Sequence, residues 1–489
     1  MEKTVEKKKA GIGAFDFFCI GFGAIVGVGW AVSINKWMAS TGGAVPAGVG
    51  YLIALIMMIP VALCYCELAP MMPVAGGGMA YSYRAFGEKV GFISGWAAFG
   101  AFVTLLPWEA IYVVDILSIL IPSVKGPLLY TLGGGDVYLG HLLVGTFFSL
   151  LLFWINWKGA TSSAMMQRVL TIFLICAGLG AMIVALTQFD PVNYQPIYEN
   201  VGRGDHKTFF GGTFAIMASA PFFLCGFETI PQAVEEASGD VSTVGKTVVL
   251  SVGCACLFYA GLLFALGGAM PWQDFYNIGK SPAAGHLFLY VFGEKSAMGI
   301  FMYYFLMTGA LCGLFTTWNS FMMASPRLLM GMARGYLVPN GLKKEHPQYK
   351  TPSNAMIFCL VLSISGPFLG IGLINALTSF SAAGFVLSWF LTSASAMRLR
   401  KTAPDAHRPY KMPGGFGMAT FATVAMAIIL VLLFVPGNPV YMGMEAIVIF
   451  IGWMLLGVVF YLSCSGQRKS VTQAEREAAL FAHAGQNKA

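Results

Sequence analysis

Charge is what this 489-residue chain has least of: Asp, Glu, Lys and Arg make up 10% of it, against about 25% in an ordinary soluble domain. So little charge cannot cover a water-exposed surface of this size, which excludes a soluble multidomain protein. Histidine is scarce too, with six residues. They are scattered, and His206, His346, His407 and His483 fall in loops or the tail, so no paired His or His/Asp cluster suggests a membrane enzyme. The ten cysteines lie almost entirely inside apolar runs, as with Cys64 and Cys66 or Cys254 and Cys256. That is the spacing of small helix residues, not of metal ligands or disulfide partners. No stretch interleaves basic and aromatic residues as a nucleic-acid surface would, and no polar stripe or repeated filter motif suggests a channel. No small-residue cleavage site follows the first apolar run, so no signal peptide is expected. No catalytic residue, metal or cofactor is expected either.

Hydrophobic residues are abundant at 57%, and they are gathered into runs of roughly 20 residues, each long enough to cross about 30 Å of hydrocarbon. The lipid bilayer is therefore the expected solvent. About twelve spans are predicted: 13–38, 45–68, 90–120, 139–157 and 165–186; then 209–232, 247–270, 297–332, 354–369 and 373–397; then 418–434 and 442–463. The division is an N-terminal tail (1–12), a five-helix group (13–186), a second five (209–397), two added helices (418–463) and a C-terminal tail (464–489). That tail reads as a loosely held end. The outward stretches 190–207 and 272–295 read as loops with at most a short helix.

The formal net charge of +7 is explained by topology. With an even number of spans, Lys7, Lys8, Lys9, Arg84, Lys158, Arg334, Lys343, Arg398, Arg400, Lys401, Arg408 and Lys411 share one side with both termini. Lys36, Lys125, Arg203, Lys207, Lys280 and Lys295 fall on the other. Short cytoplasmic loops are the ones enriched in Lys and Arg, so both termini are expected in the cytoplasm and the chain in the cytoplasmic (inner) membrane.

Within hydrocarbon an interrupted helix is tolerated only where it is buried or lines a cavity. The first span carries Gly21, Gly23, Gly27 and Gly29, and the sixth carries Pro221, Gly226 and Pro231. Glycines alone could serve close helix packing. Two interrupted spans at matching positions of two groups of five favour unwinding, in an inverted repeat with substrate at the midplane. Such breaks offer N–H groups to a carboxylate and C=O groups to an ammonium or a cation. An amino acid carries both. Glu109 and Asp115 add ionisable groups inside the third span, where such residues default to a functional reading. For Glu109, behind Pro107 and Trp108, the alternatives are substrate or proton handling, a pair with a neighbouring helix, or an outer-leaflet position in water. Glu228, beside the break, reads as a structural hydrogen-bonding group.

Five segments also resemble the amino acid, polyamine and organocation permeases. Gly23–Gly29 (GAIVGVG) is similar to the family's GxIIGxGIF, and Cys66–Trp96 carries its ELA, PxxGG, Y and FGE elements. GFETIPQAVEE at Gly226–Glu236 and SPRLLMGMARGYLVP at Ser325–Pro339 resemble two further motifs, and Leu399–Pro413 resembles the basic stretch after the tenth helix. The resemblance implies an all-α fold of five plus five inverted helices with two appended, helices one and six broken, and transport of a small amino acid or amine by alternating access. An exchanger of amino acids, polyamines or an amine or sulfonate analogue is also compatible. By position, the amides around Val26, Gly27, Val28 and Gly29 would take the carboxylate and the carbonyls of Phe222, Phe223, Leu224 and Cys225 the amine, with Ala24, Ile25 and Gly226 also in the substrate site. Phe222, Phe223 or Phe227 would help close the site from outside, Glu109 would contribute to it, and Trp30 and Phe227 would gate it. The chain departs from the family at Trp30, in place of an aliphatic residue, and at Leu174, where proton-coupled members carry a lysine. Thr316 and Thr317 remain as candidate oxygen ligands for a sodium ion, with H+ the alternative coupling ion.

Overall fold

In a computed structural model that describes residues 11–200, 208–218, 220–280, 283–370, 372, 374–438 and 440–482, the chain is helical almost throughout. Nine helices are long and apolar enough to cross a membrane among the described residues, and a tenth span is the bent pair α1 (Ala14–Val26) and α2 (Gly29–Thr41), which meet at 44°. The others in the first half are α3 (Ala44–Met71), α5 (Glu88–Leu120), α6 (Leu139–Trp157) and α7 (Ala160–Leu186). The predicted span 209–232 is broken into α8 (Phe209–Ala215), a 3-10 turn, α9 (Ala220–Phe223) and α10 (Thr229–Gln232). Beyond it lie α11 (Val241–Ala269), α14 (Ala297–Arg334), the shorter α15 (Ser353–Leu369), α16 (Ile374–Thr402), α17 (Gly415–Phe434) and α18 (Met444–Ser463). This matches the predicted set of about twelve spans.

The packing repeats between the two groups of five. α3 lies on α11, α5 on α14 and α6 on α15, each helix against its counterpart five spans later. The contact of α5 with α16 is mirrored by that of α14 with α7. Short helices stand at equivalent places in the two groups: α4 (Gly78–Phe86) follows the second span, and α12 (Trp272–Asn277) and α13 (Ala283–Phe292) follow the seventh. The first of these was not foreseen, nor was the hairpin of β1 (Leu128–Leu132) and β2 (Gly135–Tyr138). Phe147, Trp154, Ile183, Val431 and Leu455 are exposed, as residues facing lipid tails should be.

One expectation is corrected. The C-terminal tail is held against the bundle at α20 (Gln473–Phe481), which starts with a Thr472–Glu475 capping box and fully buries Leu480. Arg84–Glu477 (3.1 Å) and Arg476–Glu88 (3.2 Å) tie it to α4 and α5. The reason is its amphipathic pattern, which has an apolar stripe to bury. Residues 1–10 and 483–489 lie outside the described residues.

Candidate substrate site

The glycines of the first span divide their work. A side chain at Gly21 would meet Ser251 and Ile230 of the facing helices, and one at Gly23 would meet Thr171 of α7; these two let α1 seat closely on its neighbours. Gly27 is different. Its φ of +44° and ψ of −147° lie where only glycine is comfortable, and there α1 ends. A Cβ at Gly27 would stand 2.6 Å from Thr317 Oγ1, and one at Gly29 2.5 Å from the Phe223 ring. Packing and unwinding are thus both present, at different residues of one motif.

The second break spans residues 224–228. Gly226 has φ +124°, and its face lies against the α1 backbone, where a Cβ would be 2.7 Å from the Ala24 carbonyl carbon. Glu228 caps the turn by accepting from the Gly226 N–H at 2.7 Å, while its other oxygen accepts from the Trp389 indole N–H. It therefore has the structural hydrogen-bonding role read from the sequence.

Between the breaks lies a cavity of about 20 Å³, measured as space open to the centre of a water molecule, which is room for about one water. It is lined by Ala24, Ile25, Val26, Gly27, Val28 and Gly29, by Phe222, Phe223 and Cys225, and by Leu105, Trp108, Glu109 and Thr317. Glu109 is 2% exposed, and its Oε2 has no hydrogen-bond partner among the described residues. It makes no ion pair among the described residues either. Asp115 belongs elsewhere: it pairs with Lys125 at 2.9 Å and lies 3.6 Å from His141.

Hydroxyl groups occupy several of the freed carbonyls. Tyr259 of α11, fully buried, reaches the carbonyls of Ile25 (2.8 Å), Val26 (3.0 Å) and Phe223 (3.2 Å). One hydroxyl proton serves one acceptor at a time, so Tyr259 links both breaks without saturating either. Phe222 O accepts from the Cys225 thiol at 2.9 Å. The carbonyls of Leu224 and Cys225 accept no hydrogen bond among the described residues. Thr316 Oγ1 lies 2.9 Å from Gly23 O and 2.8 Å from Gly313 O of its own helix, and Thr317 Oγ1 lies 3.3 Å from both Gly23 O and Ala24 O.

Leu174 is fully buried, with Cδ1 beside Gly313, whose own face meets the Gly27 carbonyl. It thus stands at the junction of α1, α7 and α14. Two turns away along α7, Gln167 Nε2 donates to Cys19 O (3.3 Å) and Thr316 O (3.1 Å), and Asn319 donates to Gln167 Oε1 at 2.8 Å. This neutral amide network binds the three helices together. Arg168 is held by Asp16 at 2.6 Å.

Both ends of the cavity are shut. On the α2 side a chain of rings runs Trp37–Phe223 (4.8 Å), Phe223–Phe222 (5.2 Å) and Phe222–Trp108 (5.7 Å). Phe227, expected in that outer closure, is instead packed on Tyr65 (5.3 Å) and Trp389 (5.5 Å), because the helix is broken between it and Phe223 at Gly226. Beyond it, Arg327–Glu236 (2.6 Å) and Arg334–Glu235 (2.8 Å) hold α14 to the segment after α10, and Gly76 N–H donates to Gln232 at 2.8 Å. Trp30 does not line the cavity. It is buried edge-on to Phe258 (6.2 Å) and near Gly309, facing neighbouring helices. Leu224 and Gly226 also lie outside the lining, although Gly226 sets the turn. Tyr259, Leu105, Trp108 and Trp389 were not singled out beforehand. A lone Tyr hydroxyl in mid-span, which must find a partner in hydrocarbon, was the available signal for the first.

Two broken spans flanking a closed central cavity in a multi-pass helical bundle define a membrane permease, not an enzyme. The family model described as "Amino acid permease" matches residues 12–462, and the chain belongs to that family. It is similar to the branched-chain amino acid permease BcaP of Bacillus subtilis (strain 168), with 28% identity over 96% of each chain. It also resembles the methylthioribose transporter of the same organism, 24% identical over 82% of this chain and 84% of the other, and its glutamate/serine transporter AimA, 26% identical over 82% and 74%.

Proposed function

We propose that this permease is a secondary active transporter, working by alternating access, for an amino acid or a closely related small amine. The observation that carries the proposal is the nearly filled cavity between the two breaks, shut by rings on one side and by ion pairs on the other. A carrier must pass through such a state, whereas an open pore must not. The N–H groups of Gly29 and Trp30 at the start of α2 have no acceptor among the described residues and would receive the substrate carboxylate. The free carbonyl of Cys225, which lines the cavity, would receive its amine, those of Phe222 and Phe223 being already engaged. Closure at about 20 Å³ means that binding requires the Trp108–Phe222–Phe223 wall to withdraw. The names of the relatives, which range from branched-chain amino acids to methylthioribose, support a small polar substrate without choosing one. The two five-helix groups, 13–186 and 209–397, would move against each other, with 418–463 appended.

Both termini are proposed to be cytoplasmic, on the distribution of Lys and Arg. For coupling, Leu174 offers no titratable group at the junction of α1, α7 and α14, which favours sodium or substrate exchange over a proton at that point. Thr316, Thr317 and the carbonyls of Gly23 and Ala24 would supply the oxygens for sodium. The test is uptake into proteoliposomes under imposed sodium, proton and counter-substrate gradients, each alone, beside Leu174→Lys. Sodium-driven uptake or exchange is expected. Strong proton-driven uptake that persists in Glu109→Gln would overturn the coupling scheme, and unsaturable conductance would overturn the carrier itself.

A further inference from the structure

At the end of the bundle that carries the N-terminus of α1, two cavities adjoin on the surface. One, of about 420 Å³, is lined by Arg400, Lys401, Pro404, Arg408, Lys411 and Phe416. The next, of about 550 Å³, is an apolar cleft between α3 (Leu55, Ile56, Ile59, Pro60) and α17 (Gly417, Met418, Phe421). Phe416 of the basic cavity and Gly417 of the apolar cleft are consecutive in the first turn of α17, so the two cavities are neighbours. A Cβ at Gly417 would meet no atom within 4 Å, as befits the open floor of the cleft.

The basic cavity is unbalanced: of its four cationic side chains, Arg400 and Arg408 share one buried carboxylate, Glu67. Arg408 is spent: it pairs with Glu67 at 3.2 Å and donates to the carbonyls of Leu399, Ala403, Pro404 and Ala406. Arg400 also grips Glu67, through Nε and Nη2, but its Nη1 has no hydrogen-bond acceptor among the described residues. Lys401 lies 4.6 Å from the Phe416 ring centroid. Lys401 and Lys411 are exposed and make no ion pair among the described residues. Asp405, the other acid of the segment, is exposed and makes none either. Net positive charge beside an apolar slot that opens toward the lipid is the complement of one kind of molecule, an anion carrying a hydrocarbon chain.

We propose that this is a binding site for an anionic phospholipid of the leaflet facing that end. Arg400, Lys401 and Lys411 hold its phosphodiester, and one acyl chain lies in the cleft between α3 and α17. Arg408 and Glu67 act as positioning residues that fix Arg400 and join α16 to α3. A basic cavity between helices at the membrane surface favours acidic headgroups, and the apolar cleft rewards an acyl chain by area removed from water.

The test uses the full chain purified in neutral detergent, with lipid retention read by native mass spectrometry and the thermal midpoint followed in parallel. Phosphatidylglycerol should be retained and should raise the midpoint; phosphatidylcholine and inorganic phosphate should not. Lys401→Ala with Lys411→Ala should weaken phosphatidylglycerol binding by about fivefold per lysine and leave the lipid-free midpoint unchanged. Phe421→Trp, which fills the cleft, provides a second reading should the double variant fold poorly, and it should weaken retention without touching the basic cavity. Equal retention of both lipids would reduce the site to a plain apolar cleft, and equal stabilisation by phosphate would make it a free-anion site. Either result, or retention unchanged in the variants, overturns the proposal.

Discussion

The two broken spans solve one problem in different ways. At the first, between α1 and α2, the chain turns through 44° over two residues, and the freed carbonyls are met by hydroxyls borrowed from other helices: Tyr259 of α11, and Thr316 and Thr317 of α14. At the second, the chain turns over residues 224–228 and supplies most of its own caps. Glu228 accepts from the Gly226 N–H, Thr229 donates to Gly226 O at 2.6 Å, and Trp389 of α16 anchors the carboxylate. A break capped by its neighbours changes when those neighbours move. A break capped from within keeps its shape and moves as a unit. The first is therefore suited to sensing substrate or an ion, and the second to acting as a hinge.

The largest effect should come from removing the conformation on which the first break depends. Gly27→Leu must leave φ +44° or push Thr317 away, and substrate binding should be lost while the protein still reaches the membrane. Affinity surviving within a few-fold, by thermal shift or radioligand binding, would show that the break is not the site. Next is Glu228→Ala, which strands two buried donors, the Gly226 N–H and the Trp389 indole N–H. An unsatisfied buried group costs about 1–3 kcal/mol, so the thermal midpoint should fall clearly and binding should weaken with it. A midpoint unchanged in detergent would mean that the second break is not self-capped in the way described.

Much of this was legible beforehand, and what was missed has a common cause. The spans could be read because hydrocarbon demands long apolar runs, and the breaks because Gly21 to Gly29 and Pro221 to Pro231 stand out in such runs. The partition of glycines between packing and unwinding was not legible, since it depends on what faces each one: Thr171 at Gly23, Thr317 at Gly27, Phe223 at Gly29. Adjacency in sequence groups Phe227 with Phe222 and Phe223, and the break at Gly226 undoes that grouping. Tyr259 and Trp389 come from helices whose rotation about their axes no apolar pattern fixes when every face is apolar. The docking of α20 was underestimated because its polar composition outweighed one buried residue, Leu480.

A smaller effect sharpens the comparison. Tyr259→Phe removes the single hydroxyl shared by Ile25, Val26 and Phe223, worth about 1 kcal/mol in net stability. If the first break is the sensing one, substrate affinity should fall by about as much, roughly fivefold at 1.4 kcal/mol per tenfold, with little loss of thermal stability relative to Glu228→Ala. Equal destabilisation by the two variants would erase the distinction between borrowed and internal caps.

The smallest expected change is in Glu109→Gln, and its rank is itself informative. Glu109 lines the cavity but belongs to neither break, and its Oε2 has no hydrogen-bond partner among the described residues. For a zwitterionic substrate held by the backbone of both breaks, an isosteric amide keeps the volume and most of the polarity, so affinity near neutral pH should change least among the four. What should change is the pH profile of uptake: a carboxyl in the cavity can exchange a proton with substrate or solution as the walls open, and an amide cannot. The profile should flatten in Glu109→Gln. If the substrate carries a second, cationic group, Glu109 is its acidic neighbour among the described lining residues, and the same variant would then rank beside Gly27→Leu in lost affinity. Measuring both the profile and the affinity for neutral and cationic amino acids separates these cases. A variant unchanged in both would make Glu109 a packing residue and leave recognition to the two breaks alone.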